Sequence, residues 1–153
     1  MSVPIAIADT NALYNLLRPK QSEHARHKAA LPFVRQFIVS PMVLAELDYL
    51  ITARAKSSKY ALQAMAFLTN QHALNRFVIP DVGPHLGTAV AVAEAYKDAR
   101  SGEGIGITDA MNVALAKAYE TNALFTSDKD FRMIQPLTGH AAFRLLPDDL
   151  ESS

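Results

Sequence analysis

Cysteine is absent from the 153 residues, which removes disulfides, thiolate metal sites and cysteine nucleophiles together. No apolar run approaches the roughly 18 residues a membrane span requires; the run Val3 to Ala8 stops at Asp9. No basic segment precedes that run, so a signal peptide is not expected and the chain reads as cytoplasmic, with no membrane partner. An excess of one charge is missing too. Fifteen Lys and Arg face fifteen Asp and Glu, whereas a protein that coats nucleic acid through its backbone charge usually has a domain pI above about 9. What is abundant is apolar: hydrophobic residues make up 50% and charged ones 20%, which supports one full core and excludes a disordered tail or low-complexity array. Residues 1–150 read as a single domain and 151–153 as a short tail.

Five short, non-alternating apolar runs at 5–8, 36–39, 76–79, 123–126 and 143–146 have the character of strands covered on both faces. Helical patterns separate them. Ser40-Pro41 supplies a cap and a first-turn proline, Ser57 or Ser58 caps another helix, a third starts near Pro84 and ends before Ser101, and a fourth runs from about Thr108 to Tyr119. The last is apolar almost all round and is expected to be buried. Strands alternating with helices predict an α/β domain with a parallel sheet, in which ligands bind beyond the carboxyl ends of the strands.

Acids occupy those positions. Asp9 ends the first strand, where it also suits a helix cap. Glu46 has Met42, Val43, Tyr49 and Leu50 as helical neighbours, so it reads as a carboxylate within an apolar stripe, expensive unless paired or metal-bound. Asp109 follows the glycine-rich stretch Gly102-Glu-Gly-Ile-Gly-Ile-Thr108 in the first turn of the most apolar helix, favoured there by the macrodipole. No Gly-Lys-Ser/Thr follows these glycines, so phosphate cradling is not supported. Asp128 and Asp130 follow the fourth strand, and spacing does not decide which caps a turn. Carboxylates about 4 Å apart repel by about 4 kcal/mol per pair at an effective dielectric of 20, so a fold that gathers several needs a cation or protons. Oxygen donors without cysteine suit Mg²⁺ or Mn²⁺, and Mg²⁺ commonly meets substrate phosphates.

At these residues the sequence resembles the PIN-domain family, and within it the VapC-type toxins. The matching pieces are Ile7-Ala-Asp-Thr-Asn-Ala-Leu13, Ser40-Pro-Met-Val-Leu-Ala-Glu-Leu47, Ile107-Thr-Asp-Ala-Met-Asn-Val-Ala-Leu115 and Leu124-Phe-Thr-Ser-Asp-Lys-Asp-Phe131. The resemblance implies a three-layer α/β/α domain around a five-stranded parallel sheet, and Mg²⁺- or Mn²⁺-dependent cleavage of RNA by in-line attack of water. It also implies a cognate antitoxin and a homodimer. By position, Asp9 and Asp109 become metal ligands, Glu46 holds metal or its water, Asp128 completes the acidic cluster, and Thr126 hydrogen-bonds among the carboxylates; Asp130 is left as a structural cap. The alternatives are a PIN nuclease of RNA processing outside toxin–antitoxin pairs and a catalytically silent PIN-like interaction module. An aspartyl phosphatase needs a second Asp where Asn11 stands, and a receiver module needs an acidic neighbour that Asp9 lacks.

One basic stretch interrupts the neutral chain: Arg18, Lys20, His24, Arg26, His27 and Lys28, opposed only by Glu23. It reads as a solvated helix face or, through Arg18 and Arg26, as a contact for RNA phosphates. The five histidines read as surface residues.

Overall fold

The computed structural model describes residues 2–150; the proposed tail, 151–153, lies outside them. Five strands form one all-parallel sheet: β1 (Val3–Ala8), β2 (Val34–Ile38), β3 (Phe77–Val78), β4 (Ala123–Phe125) and β5 (Arg144–Leu146). Their order is β3-β2-β1-β4-β5. The chain therefore builds outward from β1 to β3, then returns to the other side of β1 for β4 and β5. Such a reversal opens a crevice beyond the carboxyl ends of β1 and β4.

Alternation along the strands assigns the two faces. Val3, Ala6, Ala8, Val34, Phe37 and Phe125 join one core with Leu13, Val43, Leu47, Ala61 and Leu68. These come from α1 (Thr10–Leu17), α3 (Pro41–Ala55) and α4 (Ser58–Ala73); α2 (His24–Ala30) adds Ala30. Ile7, Ile38, Leu124 and Leu145 face the opposite way, against α5 (Leu86–Ala95) and α6 (Gly106–Ala118). Burial on both sides is the reason these strands lack a polar alternation.

The caps fall where the residue types predict. Ser40 Oγ accepts from the Met42 N–H (3.1 Å) with Pro41 in the first turn of α3, and Ser57 Oγ accepts from the Lys59 N–H (3.2 Å) at the start of α4. The third helix ends at Ala95, before Ser101 as expected, and the chain turns back toward α6 through left-handed residues at Arg100 (φ 51°) and Ser101 (φ 59°). The fourth begins at Gly106, two residues before Thr108. Residues Ala110 to Ala116 of α6 are all buried, matching the all-round apolar pattern.

His27 is a correction. It is 1% exposed, not superficial. Its ring meets Phe125 edge-on (5.3 Å between centroids), and Nδ1 pairs with the Glu23 carbonyl (2.8 Å). A helix face that reads as basic in sequence turns this one member inward, and burial pushes its pKa down.

Candidate active site

Four separate stretches of chain converge on one pocket of about 590 Å³ at the carboxyl edge of the sheet, lined by Asp9, Thr10, Asn11, Glu46, Leu50, Arg100, residues 105–109, Asp128 and Asp130. Asp9 is the innermost acid, 5% exposed. Its N–H donates to the Phe125 carbonyl (2.9 Å), which continues the β1–β4 ladder by one residue and locks the side chain at the switch point. Its Oδ1 accepts from the Thr10 N–H (2.8 Å) and the Asn112 amide (3.4 Å); its Oδ2 accepts from Thr126 Oγ1 (2.8 Å) and the Asn11 amide (3.4 Å). Asp9 is thus both the cap of α1 and a site residue. Burial pushes its pKa up to about 6, although the Thr126 and Thr10 hydrogen bonds pull the other way; Asp128 and Glu46 add repulsion.

Asp109, in the first turn of α6, is pushed up to about 7, first by burial and then by the charge of Asp9, against the pull of Arg100. Glu46 departs from the sequence reading. It stands at the solvent edge of α3, with neighbouring Tyr49 76% exposed, so it does not lie in an apolar stripe: the helix phase turns Val43, Leu47 and Ile51 inward instead. It still reaches the pocket, held by Thr10 Oγ1 donating to its Oε1 (2.8 Å). Thr126 is 1% exposed and bridges the cluster, donating to Asp9 and accepting from the Asp128 N–H (3.0 Å).

Of the two acids after β4, Asp128 keeps its expected place in the pocket and also takes the cap expected of Asp130. Asp128 Oδ1 accepts from the Asp130 N–H (2.9 Å) and caps the short 3-10 turn Lys129–Met133, so the cap is Asp128 and not Asp130. Both carboxylates line the pocket, because the turn directs both toward one residue of the opposite wall.

That residue is Arg100, which the sequence reading missed. Its Nε donates to Asp130 Oδ2 (2.8 Å), one terminal nitrogen to both Asp109 Oδ2 (3.0 Å) and Asp128 Oδ2 (2.8 Å), and the other to the Ile105 carbonyl (3.1 Å). The hydrogen bond to Asp130 leads the effects that hold its guanidinium charged well above the ordinary range. A left-handed non-glycine residue costs about 1–3 kcal/mol, and here Arg100 and Ser101 are consecutive. Glycine relieves the rest of the loop: Gly102, Gly104 and Gly106 have φ of 92°, 74° and 80°. No sequence pattern marks Arg100. Asn112 was findable, as a buried amide three residues after Asp109 in an otherwise apolar helix.

The basic stretch is divided. Arg26 binds Glu23 (2.9 Å) and Asp148 (2.8 Å), whereas Arg18 ends α1 and stacks over Tyr60 (4.6 Å to the ring centroid). Arg18 lies one length of α1, about 12 Å, from Asp9.

The donor chemistry suits a hard divalent ion: all-oxygen carboxylates, two of them driven toward protonation, with a guanidinium already standing as a cation among them. Among the described residues no three acids are drawn together tightly enough to hold an ion as they stand. Asp9, Glu46, Asp109 and Asp128 all line the pocket.

The chain matches the PIN domain family over residues 6–135. It is 30% identical to Ribonuclease VapC26 of Mycobacterium tuberculosis over 144 residues, covering 92% of this chain and 99% of that protein. Among solved structures it resembles M. tuberculosis VapC20, a sarcin-ricin loop cleaving toxin (17% identity, TM-score 0.65, 82% of this chain and 91% of that one). It also resembles VapBC2 of Rickettsia felis, solved on a promoter DNA fragment (22%, 0.58, 88% and 96%). A toxin–antitoxin complex from Klebsiella pneumoniae is similar as well (24%, 0.56, 84% and 92%).

Proposed function

Since the chain belongs to the PIN-domain family as a VapC-type member, we propose that it is the toxin of a toxin–antitoxin pair, an endoribonuclease that hydrolyses RNA phosphodiesters with Mg²⁺ or Mn²⁺. One observation carries this reading: acids from the ends of β1 and β4, from α3 and from the start of α6 line a single pocket. A bound divalent ion would acidify water and neutralise charge building on the phosphate.

The remaining work belongs to the chain. Asp9 and Asp109 would supply the principal oxygens for the ion. The Asp9 carboxylate is held in one orientation by hydrogen bonds to both of its oxygens, which is the preorganisation such a site needs. Glu46 and Asp128 would orient the attacking water. Arg18 is the expected phosphate contact away from the cut; Arg26, shared between two carboxylates, would contribute less. A basic segment of an antitoxin would be drawn to the acidic pocket, and a second copy of the chain is a further expected partner. Among the described residues no helix is long and apolar enough to cross a membrane.

The test is incubation of the purified chain with cellular RNA and Mg²⁺, followed by sequencing of the new ends. Cleavage should stop on chelation and return with Mg²⁺ or Mn²⁺. It should vanish in Asp9→Asn and Asp109→Asn while both stay folded. Full activity in either variant refutes the assignment, and discrete ends name the target.

A further inference from the structure

Away from the acidic pocket, the end of α1 and the first half of α4 enclose a second pocket of about 360 Å³, where Arg18, Lys20, Tyr60 and Gln63 stand beside apolar Leu17 and Ala64. Among the described residues no acid lines it, and Arg18, Lys20 and Lys59 enter no ion pair, whereas Arg26, Lys97, Arg100 and Arg132 all do. Arg18 lies over the Tyr60 ring at 4.6 Å, and Lys59 Nζ stands 5.9 Å from the same ring. Tyr60 is nonetheless 42% exposed. The Gln21 N–H donates to the Arg18 carbonyl (2.9 Å), closing a turn with Pro19 in its second place that sets exposed Lys20 at the rim.

Helix α1 joins this pocket to the acidic one. Thr10, Tyr14 and Arg18 follow at intervals of four, the spacing of one helix face. Thr10 holds Glu46 at the acidic end, Arg54 lies over Tyr14 in the middle (4.7 Å), and Arg18 meets Tyr60 at the far end. A negatively charged strand leaving the acidic pocket along this face passes Arg54 and reaches Arg18 after about 12 Å. We propose that the second pocket is a nucleotide subsite: one unpaired RNA base flanking the cut stacks against Tyr60 and the Arg18 guanidinium, its phosphate meets Lys20, and Gln63 bonds its edge. Unpaired bases stack on aromatic rings and guanidinium planes alike, and a side-chain amide both donates and accepts. The volume suits a small ligand, such pockets starting at about 300 Å³. A protein segment basic enough to seek the acidic pocket would be repelled here, so the charge favours a nucleic-acid strand.

The inference rests on RNA being the substrate, as read above, and binding measured apart from cleavage separates the two. The full chain, in chelator, is titrated into a short single-stranded RNA carrying the fluorescent base 2-aminopurine at successive positions. Wild type should quench the probe at one position. Tyr60→Ala, confirmed folded by circular dichroism, should lose that quenching and weaken binding about tenfold, as expected for one base stacked on an aromatic ring. Tyr60→Phe should restore both, because the ring stays. Lys20→Gln should keep the quenching and lower the salt slope of binding by about one. Quenching and affinity unchanged in Tyr60→Ala overturn the subsite and leave the nuclease reading intact. Quenching lost in Tyr60→Ala, in a chain that cuts no RNA with Mg²⁺, sustains the subsite and removes the nuclease reading. No RNA binding by wild type overturns the subsite. Should Tyr60→Ala not fold, the salt slope of Lys20→Gln decides, and an unchanged slope overturns the proposal.

Discussion

Replacing Asp109 by Asn should stabilise the metal-free protein at pH 8 and have little effect at pH 4. The carboxyl titrates at about 7 in the fold against a reference of 3.8, a rise of about three units, and each unit corresponds to 1.36 kcal/mol. A raised folded-state pKa means that the fold holds a proton the unfolded chain releases. The associated stability is complete below about pH 4 and is lost as pH rises through about 7. Asparagine imitates the protonated acid at every pH and so avoids the loss. The upper bound is about 4 kcal/mol, with the pull of Arg100 already included; coupled relaxation with Asp9 reduces it to about 2–4 kcal/mol. For a domain of this size that is roughly 5–15 °C in melting temperature. Chemical denaturation of both proteins at pH 4, 5, 6, 7 and 8 in the presence of a chelator measures it. Taking the difference between variant and wild type cancels the opposite slope contributed by His27. A difference that does not vary with pH, or a variant less stable at pH 8, would refute the account of a charge-crowded pocket.

Thr126→Val removes the hydrogen bond that lowers the Asp9 pKa, so Asp9 should titrate higher by about one pH unit; carboxyl NMR titration reads this, and an unmoved Asp9 speaks against it. His27→Gln keeps a donor for the Glu23 carbonyl but removes the imidazole. Since burial lowers the His27 pKa, wild type should lose stability as pH falls below about 6.5, and its margin over the variant should shrink between pH 7 and 5. A constant margin would contradict this. In an Asp9→Asn background that binds RNA without cutting it, Arg18→Glu should lower the salt slope of binding by about one. Arg26→Glu should lower it less, and an unchanged slope in the double reversal removes this surface from the RNA contact. Divalent-ion binding should weaken as pH falls from 8 to 5, because Asp9 and Asp109 regain protons near 6 and 7; calorimetry across that range checks it.

Much of the fold was legible because its signals are local. Short apolar runs bounded by polar residues fit strands covered on both faces, and all five strands appear where the runs lie. Ser40-Pro41 and Ser57 carry their cap chemistry in their own side chains. Asp9 and Asp109 were legible for the same reason: each sits at the end of an element, and a parallel sheet sends all such ends to one edge. Glu46 does line the pocket, but not from an apolar stripe, since periodicity could not fix the phase of α3.

The tertiary structure alone decided how charge is neutralised. Arg100 is 30 residues from Asp130 and 28 from Asp128 along the chain, and its placement depends on a left-handed turn that no propensity favours for arginine. Whether Asp128 or Asp130 caps its turn, and whether His27 faces water or Phe125, likewise depends on what packs opposite. Periodicity and element ends are properties of adjacent residues, so the chain determines them by itself. Burial, pKa and ion pairing are properties of distance through space, and they exist only once the sheet has brought remote segments together.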